Sequence, residues 1–127
     1  MRAPSVITDH NWLTTTFVSD VQNRGKAIIA ARGKSSAASA ASAAIDHVID
    51  FERKTADGQW FSAAVWSDGS YGAPLGIYTS LPVISDGAGG YSIKQGLALS
   101  DWAKGKIAAT NDELVKERAV VADLLKA

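Results

Sequence analysis

Gly33-Lys34-Ser35-Ser36-Ala37-Ala38-Ser39-Ala40-Ala41-Ser42-Ala43-Ala44-Ile45-Asp46-His47-Val48-Ile49-Asp50-Phe51 is the stretch on which the reading of this chain turns. A run of alanine and serine can be a disordered linker, because side chains without apolar bulk do not offset the entropy of ordering. It can also be a helix that stays thin so that a ligand or another backbone approaches closely. Three features favour the helix. Alanine is the best helix former, and serine is tolerated when diluted by it. Gly33 suits the end of a preceding helix, and Ser35 or Ser36 suits the N-cap of the next. The run then passes into Ile45, Val48 and Ile49, an apolar stripe at helical spacing with Asp46, His47 and Asp50 off it.

Working outward towards the N-terminus, Phe17, Val21, Ile28 and Ile29 predict an earlier helix ending near Ala31. Gly25 within it implies close packing or a kink. Thr8 or Asp9 suits the cap of a short helical turn carrying Trp12 and Leu13. Thr14-Thr15-Thr16 then weaken helix propensity through β-branching.

Towards the C-terminus the pattern changes. Asp57-Gly58 signals a turn, and residues 60–66 suit an aromatic-rich strand. Ser67 to Pro74 is dense in turn residues. Residues 76–84 predict a second strand, with Pro82 placing it at an edge or a bulge. Residues 91–94 predict a third strand in an antiparallel meander. Ser100 caps a final helix reaching about Lys126, with a restart expected at Thr110-Asn111-Asp112-Glu113, which resembles a capping box. The expected class is α+β, with helices packed on a small antiparallel sheet and a long C-terminal helix.

The chain has 127 residues, 46% of them apolar and 20% charged, which suits one globular domain spanning residues 1–127. Its 13 basic and 13 acidic residues cancel, leaving no electrostatic footprint for nucleic acid or an anionic membrane. The absence of cysteine excludes disulfides and thiolate chemistry. No membrane span or secretory leader is expected, and a cytoplasmic location fits.

Catalytic signals are sparse. His10 and His47 are the only histidines, and Asp46 beside His47 faces another way on a helix. Neither HExxH nor G-x-S-x-G occurs, and no cluster has metal-ligand spacing. Gly87, Gly89 and Gly90 read as a hairpin turn, because the segment leads into a strand and not into a phosphate-binding helix.

Seven short stretches in order carry a resemblance. They are Val21-Gln22-Asn23-Arg24-Gly25, Gly33 to Ala41, Ile45-Asp46-His47, Ser67-Asp68-Gly69, Tyr71-Gly72-Ala73-Pro74, Leu81-Pro82-Val83 and Gln95-Gly96-Leu97. Over about a hundred residues the chain resembles the C-terminal half of cytosolic-type malate dehydrogenases, in the lactate/malate dehydrogenase family. The family loop usually has one more residue between the Asp-Gly and Tyr-Gly parts.

The resemblance implies a substrate domain whose NAD-binding Rossmann partner has no counterpart in this sequence. It places Ser35 and Ser36 at the wall of the dicarboxylate pocket and Ser39 near the nicotinamide. The family's catalytic histidine, its aspartate partner and its substrate-binding arginines precede the region resembled, so no catalytic residue is assigned here. Hydride exchange between malate and NAD needs a proton-exchanging group and cations for two carboxylates. The chain alone is therefore expected to be inactive and not to bind NAD tightly. A self-associating or partner-binding module, most simply a homo-oligomer joined through exposed apolar faces, is the alternative. An unrelated small-ligand-binding domain fits the ordered motifs poorly.

Overall fold

The computed structural model describes residues 5–35 and 37–125, with the backbone alone at Leu125. Ser36, assigned above to the pocket wall, and Lys126, the expected helix end, lie outside these residues. The chain divides into two units after Ile45.

The first unit is helical. α1 (His10–Thr14) is capped by Asp9, whose carboxylate accepts from the Trp12 amide at 2.9 Å. The threonine run ends it as predicted. The Thr14 and Thr15 hydroxyls bond back to carbonyls of α1, and Thr15 leaves helical geometry at φ −119°, ψ −80°. α2 (Thr16–Arg32) follows at once. Gly25 neither kinks it nor packs closely: the helix runs through, and a Cβ there would meet nothing within 4 Å. Gly33 closes α2 in the left-handed region, φ 69°, with its amide on the Ile29 carbonyl.

The small-residue helix is present as α3 (Ala38–Glu52), but it starts later than the cap assignment implied. Its first turn closes with the Ala41 amide on the Ala37 carbonyl. Ser35 lies two positions before Ala37 and is not the N-cap. No residue of α1, α2 or α3 is buried.

The second unit begins within α3 and contains the sheet. β1 (Phe61–Trp66), β2 (Tyr78–Ser85) and β3 (Tyr91–Ile93) form an antiparallel meander in the order β1-β2-β3. Ala63 pairs with Leu81, Val65 with Thr79 and Phe61 with Val83. Side chains alternate between faces along a strand, so these residues share one face. Ala63, Val65, Leu81 and Val83, with Ala73 from the β1–β2 loop, make the core. At the end of α3, the rings of His47, Phe51 and Phe61 meet edge to face, and Phe51 meets Tyr91 in the same way.

Pro82 is the main departure from expectation. It occupies the central strand, in regular register with Ser62, at neither an edge nor a bulge. Its carbonyl accepts from the Lys94 amide at 2.8 Å, just past the end of β3. An antiparallel hydrogen-bonded pair would return a bond from residue 82 to the Lys94 carbonyl, which proline cannot supply. The Tyr71 hydroxyl donates to that carbonyl instead. The ladder is completed by a side chain from the β1–β2 loop.

α4 (Asp101–Val120) is capped by Ser100, whose hydroxyl accepts from the Ala103 amide at 3.2 Å. The expected restart at Thr110 does not occur, and the helix is continuous there. The Asn111 carboxamide accepts from the Thr79 hydroxyl, so this residue anchors the helix to β2. A short 3-10 turn, Ala122–Leu125, follows.

Candidate functional site

Four of the stretches that carry the resemblance converge in the second unit. Ser67 is 1% exposed, and its hydroxyl donates to the Ala73 carbonyl while accepting from the Gly69 amide. Asp68 accepts from the Ser70 amide at 2.8 Å. Bonds from the Ser70 hydroxyl and amide hold the Asp68 carboxyl below its ordinary value. Tyr71 sits at φ 55°, in the left-handed region that non-glycine residues rarely adopt. That backbone accompanies a reach by its hydroxyl to the Lys94 carbonyl and the Leu97 amide. The Gln95 carboxamide donates to the Ser70 hydroxyl at 2.7 Å. Ser67-Asp68-Gly69, Tyr71, Pro82 and Gln95-Gly96-Leu97 thus brace one another. Their roles here are architectural.

The residues assigned to ligand contact lie in the first unit. Ser35 is exposed in the connection between α2 and α3, and Ser39 is exposed in the first turn of α3. Lys34 is adjacent and also exposed.

Two clefts lie among the described residues of the second unit, and Ser35 and Ser39 line neither. One, of about 490 Å³, is lined by residues 54–59 and the β2–β3 hairpin, with Lys54, Asp57, Asp86 and Lys94 on its walls. The other, of about 340 Å³, is apolar, with Trp60, Leu97, Leu99 and Ile107 among its walls.

The glycines of the β2–β3 turn are engaged by the chain itself. Asp86 Oδ1 accepts from the Ala88 amide at 2.7 Å and the Gly90 amide at 3.0 Å. These amides serve a carboxylate of the turn, as a hairpin reading requires, and do not form a phosphate cradle. The sheet of the described residues is antiparallel throughout. Among them there is also no group of three acidic or histidine side chains placed to hold a metal ion. No helix of the described residues is long and apolar enough to cross a membrane.

The fold defines an α+β domain, and comparison identifies which one. Residues 3–124 match the family described as lactate/malate dehydrogenase, alpha/beta C-terminal domain, and the chain belongs to it. A malate dehydrogenase of Magnetococcus marinus is 49% identical over 122 residues, 96% of this chain and 37% of that protein. The structure of a malate dehydrogenase from Naegleria fowleri superposes with a TM-score of 0.84 at 47% identity, over 94% of this chain and 36% of that one. A Trichomonas vaginalis lactate dehydrogenase in complex with NADH and oxamate matches with a TM-score of 0.80 at 30% identity, over 91% of this chain and 35% of that one. The chain therefore spans little more than a third of the relatives it matches.

Proposed function

We propose that this chain is the substrate-side portion of an NAD-dependent malate dehydrogenase, interconverting malate and oxaloacetate only when joined to the region its relatives carry in addition. The observation that carries this reading is the 49% identity sustained over 96% of the chain but only 37% of the malate dehydrogenase. Ser35 and Ser36 contribute the wall of the dicarboxylate pocket, and Ser39 lies beside the nicotinamide. The proton-exchanging group, the carboxylate-binding cations and the dinucleotide platform come from the remaining region. The 127 residues alone bind NAD weakly and do not turn over. The working location is the cytoplasm.

A second reading rests on the helices. Phe17, Val21, Ile29, Ile45 and Val48 are all exposed. Apolar side chains left exposed on a helix suit association, so α2 or α3 joins a second copy or a partner when the rest of the enzyme is absent.

Oxaloacetate-dependent NADH oxidation by the purified chain tests the first reading, alongside a version extended N-terminally by the region its relatives carry in addition. The chain alone is expected to match the buffer control. The extended protein is expected to turn over and to lose activity on Ser36→Trp. Turnover by the 127 residues alone, surviving repurification, would overturn the reading.

A further inference from the structure

The unpaired edge of β1 carries an inference independent of catalysis. The Ser67 amide donates to the Ile77 carbonyl at 2.9 Å and extends the β1–β2 ladder by one hydrogen-bonded pair. Hydrogen-bonded pairs alternate along an antiparallel ladder. Phe61, Ala63 and Val65 therefore direct their backbone groups to β2, while Ser62, Ala64 and Trp66 direct theirs away from the sheet. These three residues are exposed, and among the described residues no backbone partner faces them.

Native edges are usually blunted by charge, proline or a bulge. This one has none of these: residues 60–66 read Trp-Phe-Ser-Ala-Ala-Val-Trp, and the register with β2 is regular. The opposite edge, β3, is only three residues long. β1 is the side on which the sheet can grow.

We propose that β1 pairs antiparallel with β1 of a second copy of this chain across a two-fold axis centred on Ala64, joining two three-stranded sheets into one. The hydrogen-bond phase selects this register. Residues whose backbone groups point outward must face each other, which sets Ala64 opposite Ala64 and Ser62 opposite Trp66 of the second copy. The pairing supplies about six ladder bonds. Ala63 meets Val65 on the core face and continues the apolar layer of both copies. On the other face the Trp66–Tyr78 ring pair, with centroids 5.2 Å apart, gains a small neighbour in Ser62. With no charge in the strand, the two-fold opposes no like charges. That property favours a second copy over a charged peptide as the occupant.

The chain has no cysteine, so single cysteines report the register directly. Paired residues of this type lie about 5.5 Å apart at Cα, within disulfide reach. Ala64→Cys is expected to give a disulfide-linked dimer under mild oxidation. Ser62→Cys is not, since its own copy lies about 13 Å away, four residues along the strand. Sedimentation at increasing concentration is expected to show a dimer, lost in Ala64→Lys with the circular dichroism spectrum retained, because the Ala64 amide serves no bond to β2.

Three results would overturn the proposal. One is a monomer at all concentrations with no cross-link at position 64. Another is equal cross-linking at 62 and 64. The third is a dimer that survives Ala64→Lys, which would place association on the helices. Enzyme assays do not bear on any of these outcomes.

Discussion

The hydroxyl of Thr79 on β2 donates to the carboxamide oxygen of Asn111 on α4 at 2.8 Å, with both residues at most 5% exposed. This bond ties the final helix to the central strand. Removing the donor leaves a buried acceptor unsatisfied, which costs about 1–3 kcal/mol. Thr79→Val keeps the shape and loses the hydroxyl, so it is expected to destabilise the domain by that amount in urea unfolding. Thr79→Ser retains the donor and is expected to fall well short of that loss.

Tyr71 and Pro82 are expected to be energetically coupled. Tyr71→Phe deletes the donor to the Lys94 carbonyl and the acceptor for the Leu97 amide. Two partly buried bonds suggest a loss of about 1–3 kcal/mol. In a Pro82→Ala background the strand regains its own amide at that position. The tyrosine substitution should then cost less, and a double-mutant cycle measures the difference. Equal costs in both backgrounds would mean that the hydroxyl does not complete the ladder.

Gly76 and Arg118 form a second tether between the β1–β2 loop and α4. Arg118 Nη1 donates to the Leu75 and Gly76 carbonyls at 3.1 and 3.0 Å. A Cβ on Gly76 would stand 2.5 Å from that same nitrogen, and the backbone there has φ +81°. Gly76→Ala therefore costs about 1–2 kcal/mol in left-handed strain, together with displacement of the guanidinium. Hydrogen exchange in the last turns of α4 should quicken in Gly76→Ala and in Arg118→Ala alike. Combining the two should add only the backbone part.

The β1–β2 loop should loosen in acid. The Ser70 bonds lower the Asp68 carboxyl below its ordinary value of 3.8. The folded state thus favours the charged form. The resulting stabilisation is complete above the ordinary value and is lost as pH falls through the lower folded one. Asp68 is fully exposed, so the effect is local. The Ser70 amide resonance should titrate below pH 3.8, and that inflection should vanish in Asp68→Asn.

The meander was legible because strand periodicity is local: Ala63, Val65, Leu81 and Val83 alternate with more exposed neighbours within single segments. The α2 terminus was legible for the same reason, through Gly33. Pro82 was misplaced because its compensating group, Tyr71, comes from another element and reaches it through a left-handed backbone that no propensity anticipates. No restart occurs at Thr110, where α4 runs unbroken, and the bond of Asn111 to Thr79, 32 residues away, is a contact that no local pattern reveals. The late start of α3 shows that a cap-competent serine does not by itself set a helix boundary. Ser35 and Ser39 are a different case. Nothing in their own physics selects them from the other serines of the run, and only family likeness assigns them a ligand.

Position 71 also constrains the order in which this domain could have been assembled by substitution. A proline arriving at position 82 before a phenol stood at 71 would have left the Lys94 carbonyl without its ladder donor. A tyrosine arriving first would have met a strand that already satisfied that carbonyl, leaving its hydroxyl the Leu97 amide to serve. The permissive path runs tyrosine first and proline second, and reverting Tyr71 alone is costly once Pro82 is in place.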